Sequence, residues 1–192
     1  MLRAGLRISI ISLSWTLLAG SCAIALGAED GSLTLAAFGA IGLLDAVGST
    51  ALVVHFKHAL RHETISEGHE RMALRVVTLG MAGVGTGTIA ISALRLATPS
   101  SDRSSAAGIA LAAASIGVLA ALAARKRAVA RRVPSQALNA DGWLSAVGAV
   151  LAGFTLAGTA LTAAYGWWWL DPVAALAVAV GAIAVSVSLI SN

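Results

Sequence analysis

Residues Tyr165-Gly166-Trp167-Trp168-Trp169-Leu170-Asp171-Pro172 lead straight into about twenty nearly uncharged apolar residues that run to Asn192. As a helix, a run of that length crosses the ~30 Å hydrocarbon core of a bilayer. Indole rings are amphipathic and collect at headgroup depth, so three successive Trp mark where this helix meets the interface. The stretch therefore decides the solvent of the fold: lipid.

The rest of the chain has the same character. It is 58% hydrophobic and 11% charged, with a mean hydropathy of +0.86. A water-soluble domain of this length would need far more polar surface. Ala and Gly are abundant and aromatics few, which suits membrane helices whose backbones approach closely. The single Cys, Cys22, excludes a disulfide framework or a cysteine metal cluster. The net charge of +4 sits in short connections between apolar runs, where it reads as a topology signal and not as a nucleic-acid footprint.

Charge-poor runs long enough to span fall at about 8–27, 33–56, 73–97, 106–124, 138–164 and 169–190. The expectation is an all-α membrane protein: one domain over 1–192, six transmembrane helices, and no C-terminal cytoplasmic domain. Arg3 and Arg7 before the first run, and Ala25-Leu26-Gly27-Ala28 at its end, would suit a secretory signal. Its apolar stretch is too long for one, so it reads as a span.

Orientation follows from Lys and Arg. Arg3 and Arg7 precede span 1; Lys57, Arg61, Arg71 and Arg75 lie between spans 2 and 3; Arg125, Lys126, Arg127, Arg131 and Arg132 lie between spans 4 and 5. The alternate connections hold Glu29 and Asp30, then Arg95, Asp102 and Arg103, then no charge before Asp171. By the positive-inside rule both termini are cytoplasmic and the Trp cluster faces outward, in a multi-pass protein of the cytoplasmic membrane.

Asp45 stands near the middle of span 2, where a carboxylate costs about 2.5–3.5 kcal/mol. Ser49 lies one turn on, with Gly42 and Gly48 nearby. Either Asp45 serves a cation or proton path, or it is protonated and bonded to a neighbouring helix. Asp141, beside Asn139 at the start of span 5, is either a first-turn carboxylate favouring the helix N-terminus or part of the inner mouth of an ion path. Asp171-Pro172 reads as an N-cap followed by a first-turn Pro.

All four His lie in or beside one connection. His55, His58 and His62 are spaced i, i+3, i+7, and His69 follows within Glu67-Gly68-His69-Glu70. On one helical face such imidazoles can hold Zn²⁺ or a similar ion; Lys57 and Arg61 adjoining would repel a cation and favour a solvated basic connection. Gly83-Val84-Gly85-Thr86-Gly87 lacks the strand and the Lys-Ser/Thr ending of a phosphate loop. Gly83 and Gly87 read as a GxxxG packing face, as do Ser145, Ala149 and Gly153. No nucleophile–base pair or HExxH stands out, so no enzyme is expected and no tightly bound cofactor.

Several segments resemble one family, the cation diffusion facilitators, which export divalent metals in exchange for protons. Ser135-Gln136-Ala137-Leu138-Asn139-Ala140-Asp141 looks like the opening of that family's fifth helix, and Trp167-Trp168-Trp169-Leu170-Asp171-Pro172-Val173-Ala174-Ala175-Leu176 looks like its sixth. Phe38-Gly39 through Asp45 resembles its second helix and Gly68-His69-Glu70-Arg71 the start of its third. The likeness covers essentially the whole chain and is closest to short members without the cytoplasmic ferredoxin-like domain.

The resemblance implies a cation-efflux-like transmembrane bundle, a divalent metal such as zinc as substrate, and a homodimer in the lipid bilayer. Asp45 and Asp141 would serve the metal within the membrane, and His58, His62 and His69 would collect it at the cytoplasmic face. The family's transport site pairs ligands one turn apart on helices 2 and 5. Here those pairs map to Ile41 with Asp45 and to Leu144 with Gly148, so three of the four positions carry no ligand atom. Two functional readings follow: a divalent-cation transporter working through Asp45, or a transport-inactive scaffold for membrane protein association.

Overall fold

Gly31 takes φ 74°, a left-handed conformation that glycine adopts without strain, and so breaks the first helix from the second. Ser32 then opens the second helix, its hydroxyl accepting the Leu35 N–H at 3.3 Å. At the far end of the chain Gly166 does the same work, at φ 66° with its N–H donating to the Thr162 carbonyl at 2.9 Å. Pro172 lies in the first turn of the helix that follows, where its missing N–H is no loss.

The computed structural model describes residues 2–60, 67–97, 105–132 and 136–191. They form α1 (Leu2–Asp30), α2 (Leu33–Leu60), α3 (Glu67–Ala97), α4 (Ala106–Ala130), α5 (Gln136–Tyr165) and α6 (Leu170–Ser191). No strand occurs among the described residues. Among the described residues, five helices are long and apolar enough to cross a membrane, and α3 adds a shorter apolar stretch, Ala82–Ala97. This is the expected all-α bundle, with helices several residues longer than the apolar runs alone.

The distribution of side chains is that of a protein solvated by lipid. Leu18, Leu79, Leu94, Val150 and Val180 face outward, while Ser9, Ser12, Thr155, Lys126, Asp141 and Asp171 are buried. Several inward hydroxyls satisfy themselves on the preceding turn, as Thr155 does on the Leu151 carbonyl at 3.0 Å and Thr159 on that of Thr155 at 2.8 Å. Tyr165, Trp167 and Trp169 stack in sequence at the α5–α6 turn, with centroids 5.1 and 5.8 Å apart, and remain exposed as interface residues should.

α1 packs along α2, α4 along α5 and α3 along α6, while α2 also meets α3, α5 and α6. The core centres on Leu35, Phe38, Ile41, Phe56, Leu119, Leu151 and Val178. Three sequence expectations need correction. Gly83 and Gly87 meet nothing within 4 Å, and neither does Gly153; the close approaches belong to Gly27 against Ala36, Gly39 against Gly20 and Ile24, and Gly158 against Ala174. Asp171 does not cap α6: it lies inside the first turn of that helix and caps α2. Lys126 is not a connection charge. α4 continues to Ala130, and the ammonium turns into the bundle.

Candidate functional site

At the Trp end, Asp171 receives Ser32 Oγ at 2.6 Å, the Leu33 N–H at 2.8 Å and the Thr34 N–H at 3.3 Å. Thr34 Oγ1 donates to the Asp171 carbonyl at 2.6 Å. Free N–H groups at a helix start favour an anion, and here the anion comes from another helix. Asp30 acts likewise on α4, accepting from Ser105 N at 3.0 Å and from Ser105 Oγ, whose oxygen accepts the Gly108 N–H at 3.1 Å. Arg95 of α3 donates to the Gly31 carbonyl. The α1–α2 turn thus clasps α3, α4 and α6, with Asp30 and Asp171 holding helix starts.

The interior chemistry lies toward the other end. Asp45, roughly 18 Å along α2 from Leu33, lines a cavity of about 50 Å³ between α1, α2, α4 and α5. Ile41, Leu144 and Gly148 line the same cavity, with Trp15, Phe38, Leu119 and Ser145 among its other walls. The helix pairing therefore brings together all four positions at which the resemblance expects ligands, although only Asp45 has a charge to offer. A volume of that size admits a cation together with a water or two.

Asp45 is not alone. Asp141, five residues on from Gln136 at the start of α5 and 4% exposed, lies one turn before Ser145. Lys126 Nζ stands 2.6 Å from Asp141 Oδ2 and 2.9 Å from Ser145 Oγ. Ser49, one turn on from Asp45, points its hydroxyl at Asp141 Oδ1 over a long 3.5 Å, and Ser145 Oγ also donates to the Asp141 carbonyl at 3.1 Å. The Asp45 carboxyl lies within electrostatic range of both Asp141 and Lys126. Asp45 and Ser145 are on the cavity wall, and Ser145 joins it to the polar cluster of Asp141, Lys126 and Ser49.

Local sequence explains the inward lysine. The buried stripe of α4 runs Ala112, Ser115, Leu119, Leu122, Ala123, Lys126, Ala130, the helical period of a single face. Arg125 and Arg127 flank it off that stripe; Arg127 instead covers the Trp143 ring with its guanidinium 3.9 Å from the centroid. Gly142 allows the close approach, since a Cβ there would sit 2.7 Å from Arg127 Cγ. Sequence reasoning counted Lys126 among the connection charges; its place one turn after Leu122 was the signal for its burial.

His58 is in the last turn of α2, its Nδ1 2.9 Å from the Val54 carbonyl. His62 and the side chain of His69 lie outside the described residues. Among the described residues no three His, Cys, Asp or Glu side chains come together as a metal cluster.

A bundle of membrane helices closes around a largely apolar cavity with one carboxylate, Asp45, on its wall. The cation efflux transmembrane domain model matches residues 9–192, and the chain belongs to that family. Its members are transporters and not enzymes, which makes this a protein of the cation-transporter class. No curated protein matches the chain.

Proposed function

We propose that the protein carries a divalent metal cation, zinc or a similar ion, out of the cell across the cytoplasmic membrane in exchange for protons. Asp45 is the carboxylate that receives it. The observation that carries this reading is the position of Asp45 on the wall of the cavity where α2 and α5 converge. A buried carboxylate is costly in lipid unless it serves a cation or a proton, and Asp141, Ser49 and Ser145 add oxygens nearby. Oxygen donors of this kind suit a divalent ion that sheds its water. His58, His62 and His69 would collect the ion at the cytoplasmic face, and Gly83 with Gly87, open to the outside of the bundle, would meet a second copy in a homodimer.

Both termini lie in the cytoplasm on this reading. In a Cys22→Ser background, Trp167→Cys reacts with a membrane-impermeant maleimide in intact cells, whereas Arg132→Cys reacts only after permeabilisation. The reverse pattern would turn the protein over.

Flux in proteoliposomes tests the transport itself, with Zn²⁺, Mn²⁺, Co²⁺ and Fe²⁺ compared side by side. The wild type moves at least one of them and collapses an imposed proton gradient; Asp45→Asn falls to the lipid background. The apolar residues Ile41, Leu144 and Gly148 on the cavity wall favour a second reading, a scaffold that associates with other membrane proteins and moves no metal. Absence of flux for all four ions would select it.

A further inference from the structure

Lys126 sits one turn from the end of α4. A lysine so placed ordinarily snorkels, its stem along the helix and its ammonium at the membrane surface, because an interior charge is costly. Here the side chain is instead 0% exposed and turned inward. Its ammonium engages Asp141 Oδ2 and Ser145 Oγ at 2.6 and 2.9 Å. Ser145 shares the cavity wall with Asp45. Lys126 thus holds one residue of the cavity wall, Ser145, and the carboxylate that lies next to it, Asp141.

Charge counting sharpens the point. Lys126 pairs with Asp141 beside the cavity, which leaves Asp45 as the one carboxylate on the wall facing an ion. With the ammonium swung out to the surface, Ser145 on the wall and Asp141 and Ser49 behind it are freed to join Asp45, a donor set of the kind hard cations take. The side chain can make that move without disturbing the helix, since its four-carbon stem starts close to the membrane surface.

We propose that Lys126 is a tethered competitor for the transported cation: it occupies Asp141 and Ser145 in the empty state, and a divalent ion loads by displacing it. This rests on the transport reading above and adds a residue that governs affinity. A site missing three of its four expected ligands thereby gains replacements from Asp141, Ser49 and Ser145, with Lys126 keeping the affinity low enough for release.

The test is Co²⁺ and Zn²⁺ binding to the purified full chain, measured by calorimetry. Lys126→Gln should tighten binding by roughly tenfold or more, Lys126→Arg should stay near wild type because the charge remains, and Lys126→Gln with Asp141→Asn should lose the gain. If Lys126→Gln binds no tighter while Asp45→Asn abolishes binding, the lysine is only structural, the transport reading stands and the competitor idea falls. If Asp45→Asn binds as well as wild type, the cavity is not the site and both readings fall. A second measurement needs no variant of the lysine, should Lys126→Gln not fold. In the wild type, saturating Co²⁺ should raise acetylation of Lys126 several-fold by mass spectrometry, with exposed Lys57 as the internal control. Unchanged Lys126 labelling with Co²⁺ bound would overturn the displacement.

Discussion

Lys126 Nζ lies 2.6 Å from Asp141 Oδ2 with the two side chains 0% and 5% exposed, so α4 and α5 are joined by an ion pair drawn out of solvent. Ser145 and Ser49 supply the remaining polar partners. Two desolvated charges that meet at hydrogen-bond distance roughly offset their own desolvation, but either one alone does not.

The single substitutions Lys126→Ala and Asp141→Ala should each therefore destabilise the bundle by about 3–5 kcal/mol. The double variant Lys126→Ala with Asp141→Ala should lose far less than the two singles summed, because no unpaired charge is left inside. Unfolding in detergent, followed by tryptophan fluorescence, gives the four corners of the cycle. Additive losses in the double variant would mean that the two charges do not depend on each other.

Asp171 offers a contrasting case, a buried carboxylate with a purely mechanical task. Three donors at the head of α2 converge on it at 2.6, 2.8 and 3.3 Å. Asp171→Ala leaves those donors without partners and should cost about 2 kcal/mol, the range of a lost charged cap. Ser32→Ala should cost less, since the backbone donors keep their acceptor. Metal binding should be the same in all folded variants, as the clasp is at the opposite end from Lys126; a change in affinity would show that the two ends are linked.

Much of this was legible in the chain itself. Hydropathy runs located the six helices, and the family resemblance mapped Ile41, Leu144 and Gly148 to ligand positions, residues that the structure sets with Asp45 on one cavity. What could not be read were the contacts between helices. Asp171 carries the residue pattern of a cap in its own helix, yet nothing in local sequence says that the N–H groups it serves belong to residues 33 and 34. Lys126 between two arginines looks like surface charge until the helix is known to continue past it. The glycines failed for the same reason: GxxxG spacing marks a face without saying what it meets, and among the described residues a Cβ on Gly83 or Gly87 would meet nothing within 4 Å.

The glycines can be sorted by substitution. A Cβ on Gly39 would lie 2.7 Å from the Gly20 carbonyl and 2.8 Å from the Ile24 N, and one on Gly27 would lie 2.6 Å from the Ala36 N. These neighbours are backbone, so α1 and α2 must separate. Gly39→Ala and Gly27→Ala should lower stability by about 1–3 kcal/mol. Gly83→Ala and Gly87→Ala meet open space within one copy, so in the monomer they should be neutral, or raise stability by up to about 1 kcal/mol through helix propensity, and should cost stability only where the proposed second copy lies against α3. Thermal melts in detergent rank them; a cost at Gly83 matching that at Gly39 would place a second copy of the chain against α3.

The last prediction returns the missing donors to the cavity. Gly148 faces it, and a Cβ there would meet only the Leu119 Cδ1, at 3.3 Å, the movable end of a side chain. Ile41 faces the same space one turn before Asp45, although it is buried in the core as well. Gly148→Asp should therefore fold at modest cost and place a second carboxylate opposite Asp45, whereas Ile41→Asp gives up core packing for the same gain. Each should tighten Co²⁺ binding by roughly tenfold or more, the worth of one added charged ligand at about 1.4 kcal/mol per decade. Gly148→Ala, which adds bulk without charge, should not. If Gly148→Asp folds and binds no better than Gly148→Ala, then Asp45 and position 148 do not share a cation, and the cavity that joins α2 to α5 has another use.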